Sequence, residues 1–258
     1  MKWMSVGLLA VLVGCAGISS SPPGPLQLTI GRVGDKWDMR ETKSGHITHF
    51  ELLPMANVGC AKGNLIDMRI TKDNPEDYWQ VGLAGGADDW ILQQNAAGDW
   101  QAVATYMTST APDNDGWPYT IDYVHDTYSF GGNDPNSAYL VVPSSFSKPV
   151  TRYGSAQWWL SNSEVTPACL ENVGQKGADS PWTSVISQIT VDTPAYSGPA
   201  VANDEYEGCH SDNLPQCVAD GAAHEIWVFA PGLGLVEINA VWEGVELKRI
   251  VGSPDAQR

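Results

Sequence analysis

His224-Glu-Ile-Trp-Val-Phe-Ala230, Pro231-Gly-Leu-Gly234 and Leu235-Val-Glu-Ile-Asn-Ala-Val-Trp242 decide the fold class. Two apolar-rich runs flank a four-residue connection that holds two glycines. That is a hairpin pattern, because glycine reaches the positive φ a tight connection needs. Val245–Val251 follows Glu243-Gly244 and reads as a third strand. Upstream, Val185–Val191 and Ala200–Cys209 flank the turn Thr193-Pro-Ala-Tyr-Ser-Gly198, again with strand composition on both sides.

The same rhythm extends toward the N-terminus. Leu26–Ile30 and Ile47–Leu53 alternate apolar and polar residues, and Leu65–Ile70 does so less cleanly. Gly34-Asp35, Ser44-Gly45, Lys62-Gly63-Asn64 and Asp73-Asn-Pro75 punctuate them, as turn residues do. Trp79–Leu83, Trp90–Gln94 and Trp100–Met107 continue the series, followed by Ile121–Phe130, Tyr139–Val142 and Gln157–Leu160. Ser109–Gly116 and Asn162–Pro181 read as irregular segments, with room for a helix or two in Pro112–Gln175. No window sustains a helical period with caps. The expected fold is mainly β: an antiparallel curved sheet, sandwich or half-barrel, with long loops and two disulfides.

Ile189-Thr-Val-Asp-Thr-Pro-Ala-Tyr-Ser197, Tyr206-Glu-Gly-Cys209 and Glu225-Ile-Trp-Val-Phe-Ala-Pro-Gly-Leu-Gly-Leu-Val-Glu-Ile238 together resemble the C-terminal half of a loose group of bacterial lipoproteins and periplasmic proteins. The resemblance covers about 60 of the 258 residues. It implies a curved antiparallel sheet akin to the lipoprotein-carrier fold, and with it an apolar ligand on the concave face. It carries no functional residues over.

The N-terminus points the same way. Met1-Lys2 precedes a short apolar run, Val6–Val13, which ends in Leu12-Val13-Gly14-Cys15. Trp3–Ile18 is too short and too glycine-rich for a membrane span, which needs about 20 apolar residues. Leu-Val-Gly-Cys resembles the lipobox of bacterial lipoprotein precursors. The resemblance implies cleavage before Cys15, lipid on that cysteine and anchoring in a membrane, with Ala16 next to it pointing to the outer membrane. A plain secretory signal is the alternative. The expected organisation is a signal peptide over 1–14, the lipidated Cys15 with a Ser/Gly/Pro tether through residue 25, and one β-rich domain over 26–258 with a sub-boundary near 180.

Cys15 aside, four cysteines remain: Cys60, Cys169, Cys209 and Cys217. An even number in an exported domain suggests two disulfides. Cys209 and Cys217 bracket a short polar loop and are the preferred pair; closing it is worth about 2.5 kcal/mol in the chain-entropy model. Cys60–Cys169 would close a long loop worth nearly 5 kcal/mol in the same model. The spacing is not that of a Cys-x-x-Cys metal site.

Net charge is −16. So acidic a surface argues against nucleic acid, which requires a Lys/Arg footprint, and leaves membrane attachment to the acyl chains. No pattern asks for a cofactor. His46 and His49 are three apart and would face opposite sides of a strand, which would keep them from sharing a metal; only on a turn could they do so. His125-Asp126 and His210-Ser-Asp212 are neighbours in sequence, and no Gly-x-Ser-x-Gly elbow supplies a nucleophile. Asp113 and Asp115, before Gly116, make a fragment of a calcium loop without its closing Glu; a solvated turn rich in Asp, Asn and Gly is the preferred reading. Trp117, Tyr119, Trp158, Trp159 and Trp182 are candidates for stacking on a glycan, set against the ordinary use of aromatics as β-core bulk. With 30 acidic residues, some carboxylate pair will always suit glycoside hydrolysis, so composition does not single one out.

The sequence therefore leads to an expectation of an envelope lipoprotein whose β-rich domain binds a glycan, an apolar ligand or an envelope protein. An envelope polysaccharide hydrolase and a structural surface protein are the alternatives.

Overall fold

The computed structural model describes residues 24–55, 64–73, 87–108, 125–126, 128–129, 133–134, 139–160, 175–241 and 244–251. Its strands are β1 (Leu26–Gln27), β2 (Lys36–Glu41), β3 (Ile47–Met55), β4 (Leu65–Lys72), β5 (Ala87–Gln94), β6 (Trp100–Thr108), β7 (His125–Asp126), β8 (Tyr128–Ser129), β9 (Asn133–Asp134), β10 (Tyr139–Val142), β11 (Ser145–Phe146), β12 (Val150–Leu160), β13 (Gln175–Thr193), β14 (Tyr196–Glu207), β15 (Ala223–Ala230), β16 (Gly234–Ala240) and β17 (Val245–Arg249). A single short helix, α1 (Leu214–Ala219), lies among the described residues.

Two meanders make one sheet. β2 to β6 run in sequence order on one side, and β12 to β17 on the other. The two halves join where the last strand pairs with the second: β17 lies against β2, with Leu247 opposite Glu41 and Arg249 opposite Met39. The resulting 15-stranded antiparallel sheet is open, running from β10 at one end to β9 at the other. β1 and β11 form a separate two-stranded pair, Leu26 opposite Phe146.

The sheet is curved around its own side chains. Trp37, Met39, Phe50, Leu52, Met68, Ile70 and Leu92 come from the N-terminal meander, and Ile186, Val201, Trp227, Phe229, Leu235, Ile238 and Leu247 from the C-terminal one; all are buried in one cluster. Leu28, Ile30 and Phe146, in and beside the small sheet, complete it. Alternation explains the membership. On β4, Ile66, Met68 and Ile70 face inward, while Arg69 and Thr71 point the other way. The inner face in this region is thus filled by the protein itself. Each fully buried large side chain contributes about 1.5–3 kcal/mol.

The outer face of the C-terminal half carries a second, smaller cluster. Val191, Ala200, Ala202, Val228, Ala230 and Val236 are buried there, with Ile189, Tyr196, Ile226 and Leu233 packed around them. β15 is therefore apolar on both faces toward its C-terminal end. That explains why Trp227 through Ala230 reads as an unbroken apolar run rather than an alternating one.

Gly234 is needed for both conformation and space. Its φ is +77°, and a Cβ there would lie 2.5 Å from the Ile30 carbonyl oxygen. The hairpin turn packs directly on the backbone of the segment after β1. Arg249 fastens the same corner. Its Nη1 donates to the Leu233 carbonyl, and its guanidinium sits 4.9 Å from the Trp37 ring centroid.

Several sequence expectations need correction. The segment ending at Pro181 is not irregular throughout, because β13 begins at Gln175 and runs 19 residues. Its partner β12 supplies the reason: Ala156, Ser155 and Gly154 stand opposite Ser180, Pro181 and Trp182. Position 180 thus falls inside a strand. Leu26–Ile30 forms a strand only over its first two residues. α1 begins in the loop between Cys209 and Cys217, with Pro215 in its first turn, and runs past Cys217 to Ala219. β2 fills the interval between the turn signals Gly34-Asp35 and Ser44-Gly45, to which the sequence pattern assigned no strand.

Candidate functional site

The end of the sheet formed by β12, β13, β14 and β15 gathers the most chemistry. Tyr153 stands opposite Thr183, Thr183 opposite Tyr206, and Tyr206 opposite His224. Register partners share a face, so these four make one row across the outer side of the sheet. Tyr206 and His224 stack with ring centroids 4.3 Å apart and an interplanar angle of 13°. Asp204, two residues along β14, joins both. Its Oδ1 lies 2.6 Å from His224 Nε2, and its Oδ2 accepts from the Tyr206 hydroxyl at 3.2 Å. Burial and the neighbouring Asp204 charge push the Tyr206 phenol up to about 12. Asp204 thereby fixes the ring orientation of His224 through one nitrogen, leaving Nδ1 as the other potential base.

The disulfide loop folds over this row. Cys209 and Cys217 are bonded, with Cα atoms 5.6 Å apart. The Thr183 hydroxyl donates to the Cys209 carbonyl at 3.0 Å and accepts from the Ser211 amide at 3.2 Å. His210 stacks on Tyr153 at 5.0 Å. The bond therefore holds a short helical cap on the outer face, with Thr183 as its hinge pin.

The inner face of the same strands carries a different row. Arg152, Ser184, Glu205 and Glu225 are successive cross-strand partners. The Trp227 indole N–H donates to Glu225 at 3.1 Å, and the Ser184 hydroxyl bonds the Asn203 side chain. Glu205 and Glu225 stand directly opposite each other. Such partners have Cβ atoms about 4.5–5.5 Å apart, and like charges there are destabilising.

A third cluster lies on the outer face of the N-terminal half. His49 on β3 places Nδ1 2.8 Å from Asp38 on β2, and Nε2 2.9 Å from Asp73 just after β4. With each ring nitrogen facing a carboxylate, this is an ion-pair bridge rather than a metal site. No grouping of His, Cys, Asp or Glu suited to a metal occurs among the described residues.

The candidates from sequence fare unevenly. Cys209 and Cys217 are joined. Cys15, Cys60 and Cys169 lie outside the described residues, as do Trp117, Tyr119, Asp113 and Asp115. Trp158 and Trp159 lie on β12, where the ladder shifts register between Gln157 and Trp159. Trp182 is 2% exposed, so it does not offer an open stacking face. Asp204, Glu205, Tyr206, His224 and Glu225 were not singled out by sequence. Their signal is charged or titratable residues within strands otherwise apolar, but only the β14–β15 register brings them together.

No protein-family model matches the chain, and neither the curated proteins nor the solved structures include a match to it.

Proposed function

We propose that this protein is a bacterial envelope lipoprotein, anchored through Cys15, whose β-rich domain is a binding module. The observation that carries the reading is the Cys209–Cys217 bond. Disulfides persist in oxidising compartments outside the cytosol, which agrees with an N-terminus built for export and lipid attachment. The domain offers an acidic surface to its partner. Residues 177–247 hold 11 Asp and Glu and neither Lys nor Arg. That favours a neutral glycan or a basic protein surface over anionic polymers. Because the inner face is filled by the core cluster, the partner is met on the outer face and the loops rather than inside the curve. Fractionation of cells expressing Cys15→Ala tests the reading. The variant should leave the membrane fraction, and its retention there would sink the proposal.

A further inference from the structure

We propose that the Asp38–His49–Asp73 bridge is a proton-operated clasp that fixes the end of β4 to the centre of the sheet. The geometry is specific. Asp38 comes from β2, His49 from β3 and Asp73 from the residue following β4, so one imidazole ties three consecutive pieces of the meander. Its two nitrogens face two different carboxylates at hydrogen-bond distance. A neutral imidazole donates through one nitrogen only. Both bonds can be donated at once only by the imidazolium, so loss of the proton must give up one of them. Asp73 is the more exposed partner, with 64% of its side chain accessible against 32% for Asp38, and is the one released. One backbone bond then remains there, from the Asp73 amide to the Ile47 carbonyl at 3.2 Å.

The charges around the clasp are balanced. On the same face, β2 contributes Lys36 and Arg40 beside Asp38, and β3 contributes Glu51. Lys36 is paired to Glu51 at 2.9 Å. β4 presents Thr71 opposite His49, and Arg69 two residues away, within 3.6 Å of Asp67. Across β4, Ala87 is opposite Thr71, and Asp89 is opposite Arg69. On the far side of β2, Lys248 of β17 stands opposite Arg40 and is paired to Glu246 at 3.2 Å. The two carboxylates that touch His49 are therefore the charges that decide its protonation. Burial lowers its affinity for a proton, but the hydrogen bonds to Asp73 and Asp38 and the charges of both together raise it above the ordinary value of 6.5. A histidine raised in the fold stabilises fully below its unfolded value. The contribution is lost as pH climbs through the raised folded value, so the clasp is shut in mild acid and opens on the alkaline side of 6.5.

Two-dimensional NMR of the full chain in detergent micelles tests this. His49 ring signals and the Asp73 amide should titrate together, with a shared midpoint above 6.5. Asp73→Asn should move the His49 midpoint down while leaving the ring bonded to Asp38. His49→Gln should abolish the titration of the Asp73 amide. The proposal is overturned if His49 titrates at or below 6.5, or if the Asp73 amide fails to follow it. Should His49→Gln not fold, the Asp73→Asn comparison decides alone, since an unchanged His49 midpoint there contradicts the clasp.

Discussion

Trp90 on β5 and Trp227 on β15 meet with ring centroids 5.0 Å apart, although six strand-to-strand steps separate β5 from β15 along the sheet. A flat sheet would hold them about 28 Å apart at the usual strand spacing. Their contact measures how far the sheet has curled, and it couples the two meanders through one core. Replacing Trp227, 3% exposed, with Ala should cost about 3–5 kcal/mol. Because the core is shared, chemical unfolding should stay one cooperative transition at a lower midpoint. Two separated transitions would show that the halves are independent.

Gly234 gives a sharper test of the corner packing. An Ala at this position must adopt φ near +77° and place its Cβ 2.5 Å from the Ile30 carbonyl oxygen. The left-handed backbone alone costs about 1–2 kcal/mol, and the contact adds to it. Gly234→Ala should lose at least that much stability in urea. Gly232→Ala, whose added Cβ would meet nothing within 4 Å, should lose only the backbone share.

The Cys209–Cys217 bond should be visible both chemically and in Tyr153. Non-reducing peptide mapping should recover the two cysteines joined. Removing the bond by Cys209→Ser with Cys217→Ser should cost about 2–4 kcal/mol. It should also weaken the His210–Tyr153 stack, read as a change in the His210 ring shifts. Unchanged His210 shifts would show that Thr183 alone holds the cap.

Tyr206 should ionise far later than an ordinary tyrosine, near 12. The sign follows from burial, which favours the neutral phenol. Stability that rests on this raised value is present below about 10 and falls as pH rises past it. Spectroscopic titration, with Tyr206→Phe as the blank, checks the midpoint. Asp204→Asn removes a negative neighbour and should bring that midpoint down.

The C-terminal hairpins were legible in sequence because their signals are local. Pro231–Gly234 joins two apolar runs, and β15 and β16 pair across it with Ala230 opposite Gly234. β2 was not legible. Its inward residues, Trp37 and Met39, alternate with Lys36, Asp38 and Arg40 over only six positions, between two strong turn signals. The first part of β13 was hidden by Gly177 and Pro181, residues that usually interrupt strands. Pro181 is tolerated because the β14 ladder ends at Trp182, and the one further bond on that side, from the Gly208 amide to the Pro181 carbonyl at 2.7 Å, needs no N–H from the proline. The clusters around Asp204 and His49 depend on cross-strand register, which composition and periodicity do not encode. The wrapping of one meander onto the other depends on long-range packing of Trp90, Trp227 and their neighbours.

Metabolic labelling with an alkyne analogue of palmitate tests the proposed lipid attachment at Cys15. The wild-type protein should carry label, located on the peptide that begins with Cys15, and Cys15→Ala should carry none. An unlabelled wild-type protein that still begins at Met1, or equal labelling of Cys15→Ala, would contradict it.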